Sequence, residues 1–355
     1  MKRPNSTVHM LPSLMSGDRN TLERFYLDSR HRVANFAYPH VKAWCDRRET
    51  HEAAVERLAE PLPTPEGPYP HCPATGAGAL VIADPPAIEV RRKDAKRAVD
   101  NISRFMHQPV PVDGPKSGPG AKLARQVSDV SWYHTIELPH GIVTPGVYDH
   151  RPLLPHYGLP DKLSGQRALD IATADGFWAF ELERRGADVT AVNVARFAEH
   201  DFPPAVRAEF MRRGVDRPTG EGFEVARKAL GSSVKRWEQT IYGLSPDEHG
   251  KFDFVHISDV LLHLERPLAA LRRVYDMTSG QALISDCIDP DMPPGGMRYA
   301  GDWENVTYWL PGLETLVQMV SDAGFGTVKV HALYSLAVTA PGAVGPWRVI
   351  VKAEP

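Results

Sequence analysis

Residues 167–194, RALDIATADGFWAFELERRGADVTAVNV, constrain the fold more than any other stretch of this chain. Apolar residues run from Ala168 to Ala172, a short turn follows, helical spacing occupies 177–185, and a second apolar run fills 188–192. A strand, tight turn, helix and strand in uninterrupted order predict the opening βαβ unit of a nucleotide-binding α/β domain. In such units the first turn approaches the cofactor, and the second strand ends on a carboxylate that holds ribose hydroxyls. Here that strand ends on Asn193. Ala172 and Ala174 stand where glycines are expected, and only Gly176 remains.

Downstream of Val127 the alternation continues. Strands are predicted at 168–172, 188–192, 252–257, 282–285, 327–331 and 347–351, with helices at 177–185, 222–230, 267–275 and 313–323. This pattern predicts the α/β class, a Rossmann-like and largely parallel sheet with helices on both faces. The last two strands follow the final helix with only a loop between them, so they are expected to pair as an antiparallel edge.

Upstream, residues 1–120 read as a mostly helical, Pro-rich extension, and 121–355 as the cofactor-binding domain. Leu22, Phe25, Tyr26, Val33, Phe36, Val41 and Trp44 recur at helical spacing, with Pro39 dividing the helix. A second short helix is expected at 49–58. The prolines of 61–73 (PLPTPEGPYPHCP) exclude helix and central strand, leaving a linker or surface strap. Residues 87–106 predict an amphipathic helix, apolar at Val90, Ala98, Ile102 and Phe105. Its other face is basic at Arg91, Arg92, Lys93, Lys96 and Arg97, a solvated face or a phosphate contact. A Pro/Gly-rich break at 107–120 closes the extension, which is expected to cover the pocket or form a homodimer contact.

Composition removes several function classes. A formal net charge of -3 gives no general attraction to nucleic acid or acidic membranes. Cys45, Cys72 and Cys287 lack CxxC spacing, which argues against a disulfide framework or structural zinc and for a reducing cytoplasm. No apolar run approaches the roughly 20 residues that span a bilayer, and the N-terminus lacks the apolar core of a secretory signal. Fifteen histidines contain no HxxxH or HExxH pair, so no metal site is expected.

The turn also bears on the cofactor. The first turn of the following helix has free N–H groups that favour polar or anionic ligand groups. Asp170 and Asp175, however, would repel a pyrophosphate and attract an ammonium and a sulfonium. That charge pattern favours S-adenosylmethionine over NAD.

Five segments then occur in order: WYHTIELPHGIVTPG (132–146), LDIATADGFWAFELERRGADVTAVN (169–193), GFEVARKAL (222–230), FDFVHISDVLLHLERPLAALRRV (252–274) and WLPGLETLVQMVSDAGF (309–325). Through them, from about Trp132 to Lys352, the chain resembles the class I S-adenosylmethionine-dependent methyltransferases. Within that class it is similar to the bacterial tRNA wobble-uridine 5-oxyacetic acid methyltransferases. The resemblance implies S-adenosylmethionine as cofactor, with Asp170 facing its amino acid end and Ala172, Thr173, Asp175 and Gly176 carrying backbone contacts. It places Asn193 and Val194 at the ribose, Ile241 and Tyr242 near the adenine, and Ser258 and Asp259 beside the methyl group and substrate. Asn193 offers a neutral amide in place of a carboxylate, worth roughly a kcal/mol of cofactor affinity. The wobble-uridine enzymes carry a tyrosine before the histidine of VLLHL, where it holds the carboxylate of carboxy-S-adenosylmethionine. Here the residue is Leu262, which implies the ordinary cofactor.

Methyl transfer is an in-line displacement at an activated carbon, so the protein positions the acceptor, excludes water and, for a protonated acceptor, removes a proton. His263 and His134 are the candidate bases, with a packing role as the alternative for His134. Trp132, Tyr133, Tyr299, Trp303, Tyr308 and Trp309 crowd the segments expected to lid the pocket, with Leu262 beside them. Arg298, in a Pro/Gly-rich segment (289–301) that reads as a mobile loop, is placed to receive an acidic substrate. The expected function is methyl transfer to a small-molecule, biosynthetic acceptor. The alternatives are cleavage or cyclisation of S-adenosylmethionine, tRNA wobble-uridine methylation, and a binding protein without enzymatic activity.

Overall fold

The computed structural model describes residues 93–106, 109–303, 306–339 and 345–355. The helices expected at 22–44 and 49–58, the proline segment at 61–73, Arg91, Arg92, Cys45 and Cys72 lie outside the described residues. In chain order, helices α1 (Ala95–Met106) and α2 (Gly118–Ser128) precede a small hairpin of β1 (Glu137–Leu138) and β2 (Ile142–Val143). A single-turn segment at Arg151–His156 leads into β3 (Arg167–Ile171), α3 (Phe177–Arg184) and β4 (Asp188–Asn193). Then come α4 (Pro204–Arg213), α5 (Glu221–Leu230), β5 (Lys235–Glu238), α6 (Pro246–His249), β6 (Phe252–Ser258), α7 (Pro267–Met277) and β7 (Thr278–Cys287). The chain closes with β8 (Met297–Asp302), β9 (Thr307–Pro311), α8 (Leu313–Asp322), β10 (Thr327–Ser335) and β11 (Trp347–Glu354).

Seven of these strands form one sheet in the order β10-β11-β7-β6-β3-β4-β5. The five central and β5-side strands run parallel, and β11 pairs antiparallel with both β7 and β10. The expected Rossmann-like sheet with an antiparallel edge is therefore present. From β3 the chain builds outward to β4 and β5 on one side, then returns to place β6 and β7 on the other. The carboxyl ends of β3 and β6 flank that reversal, where open α/β sheets bind ligands.

Side chains alternate across a strand, so each strand feeds two cores. Leu169, Ile171, Val255, Ile257, Ile284, Val349 and Val351 share one core with Leu271 and Val274 of α7 and Leu316 and Val320 of α8. Ala168, Phe254, Leu283 and Ile350 point to the other core, with Phe177, Trp178 and Leu182 of α3 and Phe223 and Ala226 of α5. Helices thus cover both faces.

Three expectations change. The boundary at 120 falls inside α2, because Pro119 opens a helix whose Gly120, Ala121, Leu123, Ala124 and Val127 are buried. The basic helix begins at Ala95, and its Ala98, Val99 and Ile102 pack against Phe202, Val206 and Phe210 around α4. The loop expected over 289–301 is in part a strand, since β8 pairs with β9 as a two-stranded ribbon. Of β5, KRWE, the sequence pattern gave no sign; it is a short edge strand with no buried residue.

Gly176 shows how closely α3 and α5 approach at the turn. Its φ is +91°, and a Cβ there would lie 2.6 Å from Phe180 and 2.7 Å from Phe223. Left-handed backbone costs an L-residue roughly 1–2 kcal/mol, and overpacking adds roughly 1–3 kcal/mol. Gly176→Ala is expected to destabilise the protein by about 3 kcal/mol in urea unfolding; a loss near zero would show that the α3–α5 contact yields freely.

Candidate active site

At the carboxyl ends of the central strands, the face shared with α3 changes from apolar to polar. Asp170 of β3 and His256 of β6 are register partners on adjacent parallel strands, and both are essentially inaccessible. His256 Nδ1 donates to Asp170 Oδ1 at 2.7 Å, which leaves Nε2 to accept the Tyr157 hydroxyl at 2.9 Å. Tyr157 in turn stacks on Trp178 with centroids 4.0 Å apart. One row of hydrogen bonds therefore runs from the first strand, through the central strand, to the segment that precedes the sheet.

The turn after β3 keeps a glycine-like path although it carries alanines. Ala172 has φ 62° and Ala174 φ 45°, both left-handed, at a cost of roughly 1–2 kcal/mol each. Thr173 N–H donates to Val192 C=O at 3.1 Å and Gly176 N–H to Thr173 C=O at 2.8 Å, which holds the turn against β4. Asp175 Oδ2 accepts the backbone N–H groups of Tyr133 (2.5 Å) and His134 (2.9 Å). Burial pushes its carboxyl up to about 6 despite those two donors. Asp175 thus fastens the 132–134 segment onto the turn.

Four rings from that segment and the next form a closed cycle. Tyr133 meets His134 (centroids 4.9 Å), His134 meets His150 (5.3 Å), His150 meets Tyr148 (6.0 Å), and Tyr148 meets Tyr133 (5.1 Å). Both histidines also contact Phe177 at the start of α3. Burial, followed by the Arg348 charge, lowers His150 to about 3. Burial and then His150 lower His134 well below the usual imidazole range. Both rings are therefore neutral near pH 7.

On the other side stand Asp259, Asp286, Cys287 and Arg348. The Arg348 guanidinium enters from β11, and its Nε lies 2.7 and 3.0 Å from the two carboxylate oxygens of Asp259. Asp286 accepts three backbone N–H groups, those of Val260 (3.0 Å), Leu261 (2.7 Å) and Cys287 (2.8 Å). Burial and then the Asp259 carboxylate push Asp286 up to about 7. Asp259, Asp286 and Cys287 bring one possible metal ligand each within 4.8 Å of one another. Arg348 already supplies a countercharge there, and backbone donors occupy both oxygens of Asp286.

His263 follows β6 in a single turn, Leu261–His263. Its Nδ1 lies 2.9 Å from the Val306 carbonyl, which can only accept, so Nδ1 carries the proton and Nε2 keeps a lone pair. Burial lowers its value below 6.5.

The unsatisfied polar atoms decide whether this end fits S-adenosylmethionine. Among the described residues, seven buried side-chain N or O atoms lack a protein partner; six of them are Asp170 Oδ2, Thr173 Oγ1, Ser258 Oγ, His134 Nδ1 and both ring nitrogens of His150. All six belong to the carboxyl ends of β3 and β6 or to the segment bonded over them. Buried polar groups are normally paired, so such a concentration marks a ligand's place. A carboxylate oxygen suits an ammonium, and the hydroxyls suit polar groups of an amino acid or nucleoside. Asn193 ends β4 half-buried, its Oδ1 accepting its neighbour Val194 N–H at 2.9 Å, so the amide NH2 remains to donate to a ribose hydroxyl. The residues present fit the cofactor.

Residues 150–330 match the family described as Methyltransferase domain. The chain belongs to this methyltransferase family. Among solved structures, it is similar to the N-terminal domain of EvdMO1 crystallised in the presence of SAH and D-fucose, at 17% identity and a TM-score of 0.45, covering 66% of this chain and 95% of that one. An S-adenosylmethionine-dependent methyltransferase from Mesorhizobium loti shares 17% identity over 58% of this chain and 97% of that one, with a TM-score of 0.36. The 1,6-didemethyltoxoflavin-N1-methyltransferase of Burkholderia thailandensis shares 16% identity over 54% and 72% of the respective chains, with a TM-score of 0.34. Likenesses this distant say nothing of the acceptor. No curated protein matches the chain significantly.

The remaining residues named from the sequence have these places: Trp132 lies in the hydrophobic cluster with its indole N–H donating to the Val127 carbonyl. Tyr242 directs its hydroxyl to Asp201 at 2.6 Å, with the Arg266 guanidinium 4.4 Å from its ring centroid, while Ile241 is buried in the α7-side core. Tyr299 and Arg298 are exposed on β8; Tyr299 packs on Trp309, and Arg298 lies 3.7 Å from Asp289. Trp309 donates its indole N–H to the Glu265 carbonyl. Trp303 packs beside the α1–α4 cluster. Leu262 borders an apolar niche with Leu261, Pro267, Met297, Trp309 and Met319. Sequence reasoning passed over His150, Tyr157, His256, Asp286 and Arg348, although a histidine within FDFVHIS and an arginine within WRVIV each interrupt an apolar strand.

The neutral state of His150 has a measurable consequence. Its folded value of about 3 lies below the ordinary 6.5, so the unfolded chain binds the extra proton, and stability falls as pH drops from 6.5 toward 3. Between pH 7 and pH 5 this one ring accounts for a loss of about 2 kcal/mol. His150→Phe is expected to remove that share of the acid sensitivity, read as the difference between urea unfolding free energies at the two pH values. Equal losses in both proteins would mean that the ring is solvated.

Proposed function

We propose that the chain transfers a methyl group from S-adenosylmethionine to a small molecule bound between the 132–150 segment and the carboxyl ends of β6 and β7. The observation that carries this reading is the gathering of unpartnered buried polar atoms at the reversal of strand order. S-adenosylmethionine, when bound, supplies a carbon already activated by a sulfonium. Asp170 Oδ2 accepts from the amino group of its amino acid end, and the 172–176 turn supports that end through backbone groups. Asn193 holds the ribose, and Ser258 and Asp259 border the acceptor.

His263 acts as the base. Its Nδ1–H is tied to Val306, so Nε2 is the atom that takes a proton from the acceptor. The His134 ring is packed against Tyr133, His150 and Phe177, a wall position that leaves it no role as the base. The segment around Tyr133 and Tyr148 excludes water.

The wobble-uridine reading finds less support. The Leu262 side chain has no group that could bond a carboxylated cofactor, and the net charge of -3 offers no general attraction to tRNA. Incubation with methyl-labelled S-adenosylmethionine and either bulk tRNA or a low-molecular-weight cell extract separates the two. Label in the small-molecule fraction is expected; label confined to tRNA would overturn the reading. With that fraction as acceptor, His263→Ala is expected to slow turnover by about 100- to 10,000-fold. Because burial lowers the imidazole below 6.5, the neutral base persists on mild acidification and the wild-type rate falls only below that pH. The acid limb should vanish in the variant.

A further inference from the structure

Asp170 is not an isolated carboxylate at the end of β3. It lies at the end of a fully buried chain in which the Tyr157 hydroxyl donates to His256 Nε2 at 2.9 Å and His256 Nδ1–H donates to Asp170 Oδ1 at 2.7 Å. A carboxylate accepts, so Nδ1 holds a ring proton, and in the neutral ring Nε2 accepts from the Tyr157 hydroxyl. Every atom of the chain except one is partnered: Asp170 Oδ2 is buried without a protein donor. A buried carboxylate with one oxygen satisfied and the other open is costly unless a ligand donates to it.

The surroundings prevent the chain from adopting another arrangement. His256 is a register partner of Asp170 on the neighbouring strand, so the two side chains emerge side by side on one face. Trp178 fills the same space from α3, stacked on Tyr157 at 4.0 Å and 5.1 Å from the His256 ring. Tyr157 closes the segment that begins at His150, whose ring lies 5.3 Å from Trp178. Trp178 therefore links the rings behind Asp170 to His150.

We propose that His256 and Tyr157 are positioning residues for the cofactor: they fix the rotamer of Asp170 so that Oδ2 alone is presented to the amino group of S-adenosylmethionine. This rests on the methyltransferase reading of the site.

Calorimetric titration of the full-length protein with S-adenosylhomocysteine tests the proposal, with S-adenosylmethionine kinetics beside it. His256→Phe keeps a ring but removes both hydrogen bonds and is expected to weaken binding about tenfold or more, as loss of a hydrogen bond to a charged group does. His256→Asn retains a donor near the Nδ1 position and should recover most of that affinity. Tyr157→Phe deletes only the outer bond and should weaken binding about threefold. In each case KM for S-adenosylmethionine rises while kcat at saturation holds, whereas a merely structural role would lower the active fraction and leave the affinity of the folded protein unchanged. Wild-type affinity in folded His256→Phe or, should that variant fail to fold, in folded Tyr157→Phe would overturn the proposal. Absence of saturable binding in the wild type would instead remove the cofactor reading on which it rests.

Discussion

A carboxylate in the middle of a parallel sheet has to be neutralised or hydrogen-bonded, and the arrangement around Asp170 follows from that constraint. The donor comes from the next strand over, because parallel register sets His256 directly beside it. The histidine's second nitrogen then needs a hydroxyl. Tyr157 supplies one and brings the whole 150–157 segment down over the sheet. Trp178 packs against both rings, which ties α3 to the same point. One buried charge thereby organises a strand pair, a helix and the covering segment.

The carboxylates at the ends of β6 and β7 solve the same problem differently. Asp259 has an arginine from β11 as its partner, and Asp286 has only backbone N–H groups. A buried pair such as Asp259–Arg348 contributes little net stability, since desolvation offsets attraction. What it provides is a fixed, neutral boundary. His134 and His150 are neutral near pH 7, while burial raises Asp286 to about 7.

The sheet was readable in the sequence because long apolar runs specify buried parallel strands. Arg167–Ile171, Phe252–Ser258 and Trp347–Glu354 stand close to their predicted limits. What stayed hidden lacked that signal. Strand β5 is polar and lies at an edge, and β8 follows so many prolines and glycines that loop chemistry masks it. For the site, local motifs pointed to the turn, to Asn193 and to His263. They could not show that Arg348, near the chain's end, meets Asp259, or that Tyr157 reaches His256, because those contacts depend on sheet order.

Backbone strain gives an independent view of the same location. Five described non-glycine residues have positive φ: His140, Ala172, Ala174, Asp259 and Val306. Ala172 and Ala174 form the turn after β3, Asp259 ends β6, and the carbonyl of Val306 holds the His263 ring. Only His140, in the turn between β1 and β2, stands apart. Val306 is the most unfavourable of the five, because β-branched side chains crowd a left-handed backbone. Strain of this kind persists where surrounding contacts over-determine it, and it gathers at sites that must present backbone or side chains in one way. The alanines sharpen the point. The left-handed path is held by the bonds from Thr173 N–H to the Val192 carbonyl and from Gly176 N–H to the Thr173 carbonyl, and the alanines tolerate it.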